Sequence, residues 1–212
     1  MMRFISIVLS LAIPVAALGA EGNAPKSGAG EFGDGAAGRQ IANQICAVCH
    51  GSDGNSPLGA NPNLAGQHAE YLYKQLVEFK SGARTNAIMA GMVANLSDDD
   101  MRNLAAYYAA QAAKDTSASN LELATAGQKL YRGGVPAKGI AACSACHSPD
   151  GAGIPPVYPR VSGQHTEYTT AQLRAFRSGD RNNDANSMMR MVASRLSDEE
   201  IKALAEYISG LH

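Results

Sequence analysis

The chain has 212 residues, and 18 Lys and Arg against 19 Asp and Glu give it a formal net charge of −1. Such a chain lacks the positive charge that attracts DNA or RNA, which argues against nucleic acid as a partner. The length suits one large domain or two small ones.

The N-terminus has the pattern of an export signal. Arg3 gives a short charged start, an apolar run follows to about Ala17, and small residues continue to Ala20, where a peptidase would cut. The apolar run is short for a membrane-spanning helix. The sequence therefore predicts a cleaved signal peptide at residues 1–20 and a periplasmic protein, with an uncleaved anchor as the alternative.

All four cysteines of the chain lie in two copies of the motif C-x-x-C-H. Two thiols at this spacing reach the two vinyl groups on one edge of a porphyrin, and the imidazole of the next residue then lies under the iron. A dithiol redox site, half of a zinc site or a disulfide would explain a cysteine pair, but not the histidine after both pairs. The motifs predict two covalent haem c groups, with thioether bonds and iron ligands from Cys46, Cys49, His50, Cys143, Cys146 and His147.

The two motifs belong to a tandem duplication. At an offset of 97 residues the same side chains recur at many positions, among them Pro62/Pro159, Gln67/Gln164, His68/His165, Tyr71/Tyr168, Gln75/Gln172 and Arg84/Arg181. The second copy then carries three extra residues, so that Leu96 meets Leu196. The repeat predicts two domains. Their expected ranges are a flexible, Gly-rich segment at 21–35, a first domain at 36–112, a linker at 113–120 and a second domain at 121–212.

Each copy is predicted to form three helices separated by long loops. The first helix leads into the C-x-x-C-H motif, and the second spans about residues 69–81 or 166–178, ending at a glycine. The third begins with a capping box at Ser97 or Ser197. No segment alternates as a strand would, so the predicted fold class is all-α.

The repeat register also selects candidates for the second axial ligand of each iron. Met89 and Met189 are the methionines at equivalent positions, on a segment expected to be a loop before the last helix. A thioether facing the imidazole would give His/Met ligation, which raises the haem potential. The alternatives are other methionines or, with less support, a bis-histidine site: Met92, Met188, Met191, His68 and His165.

Three shared pairs have candidate supporting roles. The carbonyl groups of Pro62 and Pro159 are candidates to accept the N–H of the proximal imidazole and so orient the ring. The remaining two pairs are expected either to bind the haem propionates or to be ordinary solvated surface: Arg84, Arg181, Gln67 and Gln164.

Taken together, these motifs resemble the cytochrome c4 family. The resemblance rests on the duplicated C-x-x-C-H, the paired Pro-x-Leu/Val-x-Gly-Gln and Ser-Gly-x-Arg segments, the run from the shared methionine to Leu-Ser-Asp, and the ending Tyr207 to His212. It covers residues 36–212. It implies two class I cytochrome c domains related by pseudo-twofold symmetry, each holding a low-spin haem, with His50 and Met89 or His147 and Met189 as iron ligands.

The same resemblance implies a periplasmic electron carrier of a respiratory chain. Its expected partners are a membrane-bound quinol–cytochrome c oxidoreductase or a terminal oxidase, and peripheral membrane association stays open. Six-coordinate irons leave no position for a substrate, so a carrier is expected instead of an enzyme. The alternatives are a dihaem electron-transfer subunit of a larger redox enzyme, of the flavocytochrome c sulfide dehydrogenase type, and a dihaem peroxidase.

Overall fold

The computed structural model describes residues 1–2 and 32–212. Nearly all of the predicted signal peptide, and most of the expected flexible segment 21–35, lie outside the described residues. The end of that segment is packed against the first domain. The ring of Phe32 lies edge-on to that of Tyr73, with centroids 5.8 Å apart, and the Asp34 carboxylate accepts hydrogen bonds from two amides at the start of the first helix.

The described residues form helices joined by loops, as predicted. In the first copy these are α1 (Gly35–Ile41), a π-helical turn (Ala42–Cys46), α2 (Ala47–His50), α3 (Ala69–Ser81), α4 (Ala87–Val93) and α5 (Asp98–Ala109). In the second copy they are α6 (Leu121–Gly133), a 3-10 turn (Pro136–Lys138), α7 (Ser144–His147), α8 (Thr166–Ser178), a 3-10 turn (Ala185–Ser187), α9 (Met188–Ala193) and α10 (Asp198–Ser209). Between residues 32 and 212, β-structure is limited to isolated bridges at Val135–Ile140 and Ile154–Tyr158.

The second and last helices of each copy are confirmed. Gly82 and Gly179 end α3 and α8 with left-handed backbone, at φ 81° and 86°. The capping boxes of Ser97 and Ser197 are both formed at the start of α5 and α10. No helix in the described part of the chain is long and apolar enough to cross a membrane.

The prediction of three helices per copy was incomplete, because α4 and α9 occupy segments that were expected to be loops. The side chain of Asn86 accepts a hydrogen bond from the Met89 amide, at 2.9 Å. In the second copy the Asp184 carboxylate accepts one from the Arg190 amide, at 3.0 Å. These acceptors satisfy amides that the first turn of a helix leaves free, which stabilises such short helices.

Each copy packs its first helix across its last helix, α1 on α5 and α6 on α10. Glycine permits the close crossing: a Cβ at Gly38 would lie 2.0 Å from the Asn103 carbonyl oxygen, and one at Gly127 would lie 2.0 Å from that of Ala203. The buried apolar side chains form one cluster around α5 and a second around α10. Two separate cores are what two domains require.

Reciprocal hydrogen bonds join the two domains. The side-chain amide of Gln67 binds both the N–H and the carbonyl of Arg160, at 2.9 and 2.8 Å. Gln164 binds the N–H and carbonyl of Asn63 in the same way, at 2.9 and 3.0 Å. Because each pair of partners occupies equivalent positions in the repeat, the pattern has the pseudo-twofold symmetry expected of the duplication.

The segment between the domains is fastened at both ends. The Lys114 amide donates to the side chain of Asn55 in the first domain, at 2.9 Å. At the other end the buried Glu206 carboxylate accepts from the Ser119 hydroxyl at 2.7 Å and from the Asn120 amide at 2.6 Å. The linker composition therefore does not make this segment a free tether.

Candidate functional site

The C-x-x-C-H motifs lie on short helices at the edge of each core. Cys46 ends the π-helical turn before α2, and Cys143 immediately precedes α7. Both side chains border the apolar cluster of their own domain. No disulfide joins any of the four cysteines, and the described residues contain no cluster of three His, Cys, Asp or Glu side chains placed to hold a metal ion. The geometry supports neither the disulfide nor the zinc interpretation.

Each motif histidine is oriented by a prolyl carbonyl, as predicted. The His50 Nδ1 lies 3.0 Å from the Pro62 oxygen, and the His147 Nδ1 lies 2.9 Å from the Pro159 oxygen. A carbonyl can only accept, so Nδ1 carries the proton and Nε2 keeps its lone pair. That is the tautomer an iron ligand needs, with its ring held before the metal is bound.

The surroundings of the C-x-x-C-H motifs favour the uncharged forms of their histidine and cysteine side chains. Burial lowers the pKa of His50 and of His147, although the prolyl carbonyl works in the opposite direction by stabilising the N–H. Burial also raises the pKa of the Cys46 thiol, and it raises that of Cys143 to about 11. Both imidazoles are therefore neutral near pH 7, which is the form that binds metal.

The two methionines at equivalent positions lie on α4 and α9, not on loops. Met89 and Met189 are each partly buried and pack against the apolar cluster that also contacts the first motif cysteine of their domain. Each domain thus brings two thiols, an oriented imidazole and a thioether to the edge of one core. This donor set fits c-type haem.

Four of the five alternative ligands have other surroundings, whereas the fifth, His68, has a buried Nε2 with no hydrogen-bond partner in the described part of the chain. Met92 and Met191 are 45% and 53% exposed. The Met188 sulfur lies 3.9 Å from the Tyr158 hydroxyl. His165 directs its Nε2 across the domain boundary to the Ser56 carbonyl oxygen, at 3.0 Å. None of these contacts resembles those of the shared methionine pair.

The shared arginines and glutamines are not solvated surface, because they make hydrogen bonds between the two domains. Both arginines are 8% exposed and lie between the domains. Arg84 donates to Gln75 of its own domain, at 2.6 Å, and to Tyr168 and Gln172 of the other domain, at 3.0 and 2.9 Å. Arg181 makes the corresponding reciprocal set with Gln172, Tyr71 and Gln75.

Sequence reasoning missed this interface, although a signal was present. A polar side chain that recurs at the same position of both repeats, on a helix face that otherwise carries apolar residues, is a candidate for a shared buried contact. Gln75 and Gln172 are of this kind, and Gln75 is 6% exposed. The contact of Lys74 and Glu78 with Asn183 had no such signal, because positions 171 and 175 in the second copy are alanines.

Comparisons with known proteins agree with this geometry. The family model described as cytochrome c matches residues 35–110 and again residues 124–212. Cytochrome c4 of Thiocapsa roseopersicina is 46% identical over 188 residues, which cover 88% of this chain and 97% of that protein. A protein named thiosulfate dehydrogenase electron acceptor, from Stutzerimonas stutzeri strain A1501, is 41% identical over 82% of each chain.

A solved structure shows the same arrangement of domains. The crystal structure of reduced recombinant cytochrome c4 from Pseudomonas stutzeri superposes with a TM-score of 0.82 and 43% identity, covering 85% of this chain and all of that one. The two domain matches and the two cysteine pairs mean that the chain carries two covalent haem c groups. It is an electron-transfer protein and not an enzyme, and it belongs to the cytochrome c4 family.

Proposed function

We propose that this protein is a periplasmic one-electron carrier of a respiratory chain. The proposed iron ligands are His50 and Met89 in the first domain and His147 and Met189 in the second, with thioether bonds from Cys46, Cys49, Cys143 and Cys146. The proposed signal peptide covers residues 1–20 and is cleaved. The electron acceptor would be a terminal oxidase, and the donor a membrane-bound quinol–cytochrome c oxidoreductase.

The observation that carries the ligand assignment is the matched pair of oriented imidazoles. Each Nδ1–H is held by a prolyl carbonyl within 3.0 Å, in both domains. When bound, the haem supplies a redox centre that exchanges one electron. The protein holds the ring of each histidine and brings a thioether to the apolar cluster of the same domain, so that little rearrangement accompanies the change of charge.

A spectrum of the mature protein tests this proposal. The protein is to be made in a host that attaches c-type haem, and haem content measured by pyridine haemochrome and by mass spectrometry. We expect two haem increments on a chain that lacks residues 1–20, low-spin spectra in both redox states, and a far-red Met-to-iron band in the ferric state. A high-spin ferric spectrum, or peroxide turnover, would instead favour the peroxidase interpretation.

A second candidate function is supported by the relative named thiosulfate dehydrogenase electron acceptor. On this alternative the protein is a permanent subunit that accepts electrons from one catalytic partner, and it does not circulate freely. Size-exclusion chromatography of the native periplasmic extract separates the two. A free carrier elutes near the mass of one chain, whereas a subunit co-elutes with a larger redox enzyme.

A further inference from the structure

The pseudo-twofold symmetry of the domain interface fails around Asn183. On α3 of the first domain, Lys74 and Glu78 form an ion pair with Nζ and Oε1 2.6 Å apart. Both also contact Asn183 of the second domain. The Lys74 ammonium donates to the backbone carbonyl oxygen of Asn183 at 2.8 Å, and the side-chain amide of Asn183 donates to the Glu78 carboxylate at 2.6 Å. The equivalent positions on α8 are Ala171 and Ala175, so α8 offers no such contact in return.

The contacted residue stands next to the segment that begins α9. Asp184, which follows Asn183, accepts from the Arg190 amide at 3.0 Å and from the Arg190 guanidinium at 2.7 Å. Its carboxylate is 5% exposed. A short chain of contacts therefore runs from α3 of the first domain through residues 183 and 184 to the helix that carries Met189.

The intervening turn needs such support. Asn186 and Ser187 both have left-handed backbone, at φ 52° and 58°, which asparagine tolerates but which is unfavourable for serine. Backbone of this kind persists only when its surroundings hold it. The turn arises from the three extra residues of the second copy. In the first copy Asn86 instead accepts directly from the Met89 amide, so α4 is held from within its own domain.

We propose that Lys74 and Glu78 are positioning residues for the distal-ligand helix of the second haem. The first domain thus completes the iron site of the second domain, and the second domain makes no matching contribution to the first. This inference rests on the proposed assignment of Met89 and Met189 as iron ligands. It predicts that the two thioethers differ in how readily they leave the iron.

The test is displacement of the methionine ligands by imidazole in the ferric holoprotein. Wild type gives two kinetic phases, and a Met189→His variant, which lacks the phase of the second domain, assigns them. In Lys74→Ala and in Glu78→Ala we expect the second-domain phase to be about tenfold faster, the effect of losing hydrogen bonds to a charged group. The first-domain phase keeps its wild-type rate.

A matched control is Lys138→Ala. Lys138 pairs with Glu200 of α10 at 2.7 Å, and its side chain is 42% exposed. The corresponding values for Lys74 and Glu78 are 2.6 Å and 43%, so the two lysines are closely matched. Both phases should keep their wild-type rates in this variant. Equal acceleration of the two phases in Glu78→Ala, or no acceleration, would overturn the proposal.

Hydrogen exchange gives a second readout that does not depend on ligand identity. Amides of α9 (residues 188–193) should exchange faster in Glu78→Ala, while those of α4 (residues 87–93) keep their protection. Unchanged exchange in α9 overturns the positioning role. Failure of the ligand assignment looks different, because Met189→His would then retain both imidazole phases.

Discussion

A neutral backbone carbonyl orients the imidazole ring of each motif histidine. A carboxylate partner at Nδ1 would push electron density through the ring and stabilise ferric iron, whereas the oxygens of Pro62 and Pro159 do so only weakly. The proposed thioether ligands, Met89 and Met189, would also favour ferrous iron. With His50 buried and His147 partly buried, we expect a high reduction potential in both domains.

The first prediction concerns the distal residues. Replacing Met89 or Met189 with alanine should open that iron to carbon monoxide and leave the other domain normal. Replacement with histidine should keep the iron low-spin but lower its potential, since axial ligands move haem potentials over a range of about 0.8 V. Carbon monoxide difference spectra and redox titration measure the two effects.

The controls are Met92→Ala and Met188→Ala. Met92 is largely exposed and Met188 contacts Tyr158, so the far-red band should survive both changes. Loss of the band in either control would assign the ligand to that residue instead.

Residue types at fixed spacing were predictable, whereas their partners were not. The C-x-x-C-H motif determines its own chemistry, and the register of the repeat selected Pro62 and Pro159 because both copies share them. Solvated surface, one of the two environments expected for Arg84 and Arg181, was wrong. Their partners come from the other domain, and contacts between distant segments leave no periodic pattern in the chain.

At the scale of elements, the crossing of the first and last helices is the most sensitive contact. We predict that Gly127→Ala lowers the free energy of unfolding by at least about 1–3 kcal/mol, because the new methyl group would meet the Ala203 carbonyl. Gly133→Ala in the same helix is the control, since a methyl group there would have no atom of another residue within 4 Å beyond its own helix and chain neighbours. Denaturant unfolding at neutral pH compares the two, and equal stability would contradict the close crossing.

A further prediction concerns the carboxylate that fastens the linker to α10. Although burial opposes ionisation, hydrogen bonds from Ser119 and Asn120 hold the pKa of Glu206 below its usual value. The ionised Glu206 carboxylate therefore stabilises the folded state fully above the unfolded pKa of about 4.3, and this stabilisation disappears as the pH falls through the lower pKa of the folded state. We predict that Glu206→Gln lowers the free energy of unfolding by about 2 kcal/mol at pH 7 and leaves it unchanged below both pKa values.

Thermal unfolding at neutral and acid pH measures this difference. Glu122→Gln, on an exposed position of α6, should unfold like wild type at either pH. A Glu206→Gln variant that is equally destabilised in acid would mean that the amide disturbs packing and that charge is not the cause.

Helix length decided which elements could be predicted. Helices α3 and α8 have 13 residues each, with an apolar stripe and a terminal glycine, and their bounds were predicted closely. Helices α4 and α9 have 7 and 6 residues, too few for a periodic pattern. They depend on Asn86 and Asp184 as side-chain acceptors, and isolated residues of these types are equally common in turns.

At the scale of the whole molecule, the halves differ in charge. Residues 21–112 carry 6 Lys and Arg against 9 Asp and Glu, and residues 113–212 carry 11 against 10, which gives −3 and +1. We predict that oxidation by an acidic partner slows as salt is added, chiefly through the second half, because screening weakens attraction to Lys and Arg.

Stopped-flow kinetics at increasing ionic strength measures this steering. Lys129→Gln combined with Lys202→Gln removes two exposed cations from the second half and should flatten the salt dependence. Arg39→Gln, which removes an exposed cation from the first half, should not. Equal sensitivity of both variants would remove the steering argument.

Because the linker is fastened at both ends, the two domains should stay docked even when the protein is dilute. Because one chain holds both domains, each meets the other at an effective concentration that short connections raise to about the millimolar range. A polar interface of glutamine and arginine hydrogen bonds, of the kind that transient complexes use, then suffices to keep the domains docked. Exchange of an electron between the two halves is thereby independent of how much protein the compartment contains, and only encounters with outside partners depend on abundance.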